Sequence, residues 1–311
     1  MPFVEADQGA KLWYEDIRGE AGTPVLLIHG GLMDPMNGER FWITPGIADD
    51  LVERGYRVII PDRRFHAGQT IAPLDSFTWD TDARDMGTAL TAAEIPGRSA
   101  HVVAGSNGCS TALRLALRHP ERVRSLTLCW PGVQDNTRLL SLFELSAAFI
   151  EDNGPEAYLE LLKRDGVPRP GEERPGFPFG VALLRDRRLA SVFSVQPNEE
   201  AADIIRGTAA SLLSGDAFRG LSHTDMEIID TLSIPISILP ASPEDPSHTL
   251  ASAAVLADAI PSAVLLRGTP VSPSPRFAMY RQAFAEAVTT SLYQGQPHWQ
   301  HCTFVKQMSI R

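Results

Sequence analysis

The chain has 311 residues, 43% of them hydrophobic, and its 28 basic and 38 acidic side chains give a formal charge of −10 at pH 7. At that length folding buries roughly 75% of the surface the unfolded chain exposes, so a large core with one inserted subdomain needs no staple. The acidic balance argues against nucleic acid or an anionic membrane as the main partner, because neither offers counter-charge. Cys109, Cys129 and Cys302 are widely spaced with no Cys-x-x-Cys pair, which argues against a disulfide framework or zinc ribbon.

The first residues, "MPFVEADQGAKLWYEDIR", carry acids early and no apolar h-region, and no later run approaches the roughly 18 apolar residues of a membrane span. A cytoplasmic protein with reduced thiols is expected. Its partner is expected to be a small-molecule substrate, with homo-oligomerisation left open.

In chain order, short apolar runs read as strands at 11–18, 24–31, 57–65, 99–106, 124–132, 234–242 and 262–268. Helical periodicity falls between them at 46–56, 81–95, 107–119, 249–260 and 276–294. Strands alternating with crossover helices predict an α/β fold with a mostly parallel central sheet. The β-branched runs Val25 to Ile28 and Val58 to Ile60 predict strands covered on both faces.

The alternation is interrupted once. Helical segments at 136–154, 155–166 and 198–215, broken by the Pro- and Gly-rich stretch 167–180, predict a helical lid inserted between two strands of the sheet. The expected organisation is a core of residues 1–133 and 232–311, with a lid of residues 134–231 over the edge where open α/β sheets hold ligands. Phe143, Phe149, Tyr158, Phe177, Phe179 and Phe193 lie in this insertion. Most are expected to pack the lid, and those facing the core to line an apolar pocket. The Arg-rich segment "LLRDRRLA" reads as a solvated helix face.

"HVVAGSNGCSTALRLALRHPERV", residues 101–123, runs from an apolar strand through small residues into an amphipathic helix. A serine forced into a strained strand-to-helix turn needs small residues two before and two after it, and Ala104 and Gly108 supply them around Ser106. The following helix favours negative charge near its N-terminus. A helix-capping serine is the plain alternative.

Here the chain resembles the α/β-hydrolase superfamily over nearly its whole length. Its Gly-x-Ser-x-Gly nucleophile motif appears as Ala104-Gly105-Ser106-Asn107-Gly108, and "ALRLALRHPERVRSLTL" resembles the helix and strand that follow. His29-Gly30-Gly31 resembles the family's His-Gly loop, which implies an oxyanion hole made by the backbone amides of Gly31 and Asn107, with Leu32 a close rival to Gly31. His29 is expected to brace that loop. "PDRRFHAGQT" resembles the family's Asp-x-Arg-Gly-x-Gly-x-Ser stretch, except that Phe65 and Ala67 stand where glycines are usual; His66 is read as a loop residue.

The resemblance places the triad acid after the strand at 234–242. Asp245 fits by order, Glu244 is second, Asp135 is a fallback, and an Asx turn or helix cap is the competing role for Asp245. The family's histidine normally follows the last strand, but that loop reads "RGTPVSPSPRF" and contains none. His248 is the leading substitute, followed by His298 and His301, or no histidine at all; a metal site at 298 and 301 lacks partner ligands. The function implied is a cofactor-independent serine hydrolase of a small to medium, largely apolar ester or lactone. The alternatives are a hydrolase-fold cyclase or lyase, or a ligand-binding pseudoenzyme.

Overall fold

A computed structural model describes residues 3–18, 22–132, 136–169, 171–243, 245 and 248–294. Its strands are β1 (Phe3–Glu5), β2 (Lys11–Ile17), β3 (Thr23–Ile28), β4 (Tyr56–Pro61), β5 (Ala100–Gly105), β6 (Val123–Cys129), β7 (Ile236–Leu239) and β8 (Val264–Leu265). They form an eight-stranded sheet in the order β1-β2-β4-β3-β5-β6-β7-β8. The β1–β2 and β2–β4 pairings are antiparallel and the rest parallel.

The helices are α1 (Ile47–Glu53), α2 (Trp79–Ala92), α3 (Gly108–Arg118), α4 (Asn136–Asp165), α5 (Gly180–Arg185), α6 (Arg187–Ser194), α7 (Asn198–Leu212), α8 (His223–Thr231), α9 (Leu250–Ala259) and α10 (Arg281–Gln294). Those flanking the sheet divide between its faces, as the strand pleat requires. Leu26, Ile28, Ile59, Val102 and Ala104 pack with side chains of α2, α3, α8 and α9. Val25, Leu27, Val58, Ile60 and Val103 point the other way, into a cluster shared with α1 and α10. Continuous apolar runs are therefore buried on both sides, as expected of central parallel strands.

Helices α4 to α8 lie in the chain between β6 and β7. The segments read as separate helices at 136–154 and 155–166 run together as α4, broken at Gly154, whose φ of 88° and ψ of 161° leave the helical region. Phe143, Tyr158, Phe179 and Phe193 are fully buried in one cluster with residues of α4 and α7. These aromatics pack the helical block together and onto Leu32, Met33, Phe65 and Trp79 beneath it, as expected of most of them, and Phe193 also borders a groove. The arginines of "LLRDRRLA" are exposed as expected, but the segment contributes to two short helices and not one, because the side chain of Asp186 accepts from the Arg188 and Leu189 amides and starts α6. Two further departures sit at the sheet's ends: β1 went unforeseen and β8 is only two residues long. Both are short edge strands; β1 has no apolar run to announce it, and only the middle of the run at 262–268 pairs as β8. No helix among the described residues is long and apolar enough to cross a membrane.

Candidate active site

Strand β5 ends at Gly105 and α3 begins at Gly108, so Ser106 and Asn107 alone make the turn. Ser106 takes φ +53°, a left-handed conformation that costs a non-glycine residue free energy and persists only where its surroundings hold it. The Ser106 amide donates to the Cys129 carbonyl at 2.9 Å and the Cys109 amide to the Ser106 carbonyl at 3.0 Å. Gly108 is needed for close approach: a Cβ there would lie 2.7 Å from the His29 carbonyl oxygen and 2.8 Å from that of Ile28. Gly30 abuts the serine itself, since a Cβ on it would sit 2.8 Å from Ser106 Cβ. The ring of Phe41 occupies the space that side chains on Gly30 and Gly105 would take.

Ser106 is 6% exposed, and its Oγ lies 2.8 Å from His248 Nε2. The other ring nitrogen, Nδ1, lies 3.1 Å from Asp245 Oδ1. The same carboxylate oxygen accepts the His248 amide at 2.8 Å, so Asp245 makes an Asx-type turn and addresses the imidazole at once. The turn and the contact with the imidazole are made by one carboxylate oxygen. Just beyond, the Thr249 side chain accepts the Ser252 amide and opens α9, which fixes the backbone that carries His248. Burial lowers the His248 pKa below its ordinary value, while the Asp245 charge and hydrogen bond push it up to a smaller extent. At neutral pH the imidazole is neutral, with Nδ1–H donating to Asp245 and Nε2 free to accept from the serine hydroxyl.

The glycine loop after β3 is braced from beneath. The Arg63 amide donates to His29 Nε2 at 2.9 Å and the Met33 amide to His66 Nε2 at 3.0 Å. Their Nδ1 atoms face the carbonyls of Gly30 and Arg64 at 2.7 Å. Because a carbonyl only accepts and an amide only donates, both rings are fixed as neutral Nδ1–H tautomers, and burial lowers both pKa values. The Met33 amide is thereby committed, leaving Gly31 and Leu32 as the loop's candidate oxyanion donors. The Arg63 guanidinium, buried, pairs with Asp82 at 2.8 Å and donates to the Gly31 carbonyl at 3.2 Å. Phe65 holds φ +63°, which explains why glycine is usual at this point in the family pattern. Its ring meets Phe179 of the helical block edge to face, 5.1 Å between centroids.

Ser106, His248 and Asp245 are thus brought together, with Gly30 packed directly against Ser106. Glu244, Asp135, His298 and His301 lie outside the described residues. The loop at 267–276, where a histidine was expected by resemblance, instead ties Ser272 Oγ to the Phe41 carbonyl at 2.9 Å. Sequence reasoning passed over Phe41 and also Arg219, a buried guanidinium whose Nη1 donates to Asn107 Oδ1 at 2.5 Å. A signal existed only for its turn, bounded by Gly215 and Gly220, both at positive φ. A groove of about 1110 Å³ opens between Leu74, Phe77 and the block residues Val192, Phe193 and Ile204. Ser106 is not among its lining residues. Among the described residues no three His, Cys, Asp or Glu side chains gather as a metal site requires.

A family model described as "alpha/beta hydrolase fold" matches residues 23–219. A protein of Azorhizobium caulinodans named "Putative carbamate hydrolase RutD" is 30% identical over 267 residues, which is 85% of this chain and 88% of its own. An esterase from Exiguobacterium antarcticum superposes with a TM-score of 0.60 at 19% identity, covering 94% of this chain and 98% of its own. The enol-lactonase from Burkholderia xenovorans does so with a TM-score of 0.57 at 20% identity, covering 94% of this chain and all of its own. At such identities the two structures speak for the shared fold alone.

Proposed function

Because the chain belongs to the alpha/beta hydrolase fold family, we propose that it is a cofactor-independent serine hydrolase of small to medium esters, lactones or related acyl compounds. The observation that carries this reading is the 2.8 Å contact between Ser106 Oγ and His248 Nε2, with Asp245 behind the ring at 3.1 Å. A serine hydroxyl is a poor nucleophile until a base accepts its proton, and this imidazole is neutral and in hydrogen-bond reach.

Ser106 Oγ attacks the carbonyl carbon as its proton passes to Nε2. Asp245 holds the ring in the required tautomer and stabilises the imidazolium that forms. The developing oxyanion is received by the amides of Asn107 and Gly31, aided by the N-terminus of α3. The leaving alkoxide takes the proton from Nε2, and water then attacks the acyl-enzyme with His248 again as base. Every group needed comes from the chain itself. An ester, lactone or carbamate would follow the same course, and the relative named as a carbamate hydrolase, aligned over most of the chain, keeps carbamates within the proposed class.

Helices α4 to α7 serve in this reading as the lid, while α8 packs on the sheet. The cyclase, lyase and pseudoenzyme alternatives rested on the missing loop histidine, and they lose that motive when an imidazole reaches Ser106 from the loop after β7. The test is labelling of the full chain with a fluorophosphonate. Wild type is expected to take the label and Ser106→Ala to refuse it; an unlabelled wild type would overturn the proposal.

A further inference from the structure

The turn 214–221 leaves the helical block and returns to the sheet, and it is held unusually tightly. The Gly220 amide donates to the Ser214 carbonyl at 2.6 Å, and the Leu221 amide to Phe218 at 2.8 Å. Gly220, at φ +76°, lies directly against the Trp79 indole, whose Nε1 donates to the Leu212 carbonyl at 3.1 Å. A rigid turn of this kind presents Arg219, only 7% exposed, into the interior.

The Arg219 guanidinium reaches two other segments. Nη1 donates to Asn107 Oδ1 at 2.5 Å and Nη2 to Asn136 Oδ1 at 3.1 Å. Asn107 directly follows Ser106 and opens α3, its carbonyl accepting the Ser110 amide at 3.2 Å. Asn136 is the first residue of α4. One side chain therefore joins the elbow, the entry of the helical block and its exit. Burial lowers the guanidinium pKa to about 10, so it remains charged at neutral pH. Burying such a charge is costly, and surface packing alone gives no reason to place it here.

We infer that Arg219 is a positioning residue of the hydrolytic site: by clamping the Asn107 side chain it aims the Asn107 amide at the oxyanion, and through Asn136 it ties that aim to the seating of the helical block. The inference rests on the serine hydrolase reading. It differs from a purely structural role in where the loss must appear. A donor displaced by a fraction of an ångström stabilises the transition state less while leaving ground-state binding nearly intact.

The experiment uses the full chain, p-nitrophenyl butyrate as ester and a fluorophosphonate as probe. Arg219→Gln and Asn107→Ala are each expected to lower kcat by about 10- to 100-fold with KM changed less than about threefold. The double variant is expected to fall no further than either single one, since both break the same contact. In Arg219→Ala, millimolar methylguanidinium is expected to restore kcat several-fold. Equal kcat in wild type and the single variants, additive losses, or a loss confined to KM would overturn the inference. If Arg219→Gln does not fold, Asn107→Ala, which keeps the backbone amide and the buried arginine, decides alone by the same kcat and KM criteria. Wild type that neither labels nor turns over the ester would overturn the hydrolase reading and this inference with it. Wild type that labels no faster than Arg219→Gln would overturn the inference alone.

Discussion

At φ +53° Ser106 stands where few serines do, and its strained backbone matters because it lifts Oγ out of the strand-to-helix line toward His248. That imidazole must be neutral to act as base. Burial lowers its pKa, so the acid limb of kcat/KM is expected below that of an ordinary histidine. Asp245→Asn removes the influence that raises this pKa, and should both move the acid limb lower still and reduce the plateau by about 10²- to 10⁴-fold. A pH-rate profile of both proteins checks the two shifts; an acid limb in wild type no lower than that of an ordinary histidine would overturn the first. Phe65 offers a second test at this scale, because it combines φ +63° with a ring packed on Phe179. Removing the ring should cost about 3 kcal/mol. Phe65→Gly should nevertheless be about 1 kcal/mol more stable than Phe65→Ala, since glycine alone is unstrained at positive φ. Urea unfolding of the two variants decides it.

Between elements, the decisive contact is the passage of α3 over the end of β3. Gly108 meets the carbonyl oxygens of His29 and Ile28, and neither backbone atom can yield without moving the strand that carries the glycine loop. Gly108→Ala is therefore expected to lose about 1 to 3 kcal/mol of stability and to slow labelling of Ser106. Gly207 in α7 provides the contrast: it is exposed, and a Cβ there would meet nothing within 4 Å. Gly207→Ala should stabilise the chain by about 0.5 to 1 kcal/mol through helix propensity. Thermal melts of the two variants should move in opposite directions. Helix starts at this scale escaped the periodicity: Thr78 and Thr81 form a capping box at α2, and Ser222 and Asp225 another at α8.

Among the described residues, the buried His29, His66 and His101 and the half-buried His248 have pKa values lowered mainly by burial. For His101 the value falls from 6.5 to about 4. The unfolded chain then binds the proton first, so stability is full above pH 6.5 and declines as pH falls from 6.5 toward 4. His101 alone should account for about 2 kcal/mol of loss at pH 5. Asp85, raised to about 6 by burial beside Arg64, acts in the opposite direction, so the variant comparison is needed to isolate the histidine. His101→Gln should lessen the fall in the urea midpoint between pH 7 and pH 5; an unchanged fall would locate the pH dependence elsewhere.

The sequence by itself determined the α/β class, the doubly covered strands and the turn at Ser106, because these depend on local spacing: continuous apolar runs, helical periodicity and the small residues 104 and 108. It also nominated Asp245 and His248, which are three residues apart and share one turn. What only the tertiary structure decided involves residues far apart in the chain. The 2.8 Å approach of His248 to Ser106 spans 142 positions, and the clamp from Arg219 to Asn107 spans 112. The insertion's aromatics could have faced a pocket or packed, and assembly placed Phe143, Tyr158 and Phe179 in a cluster shared with Met33, Phe65 and Trp79, with Phe193 at the edge of a groove. Periodicity says that a face is apolar; which other surface covers it depends on how the elements assemble, and that information is spread over the whole chain.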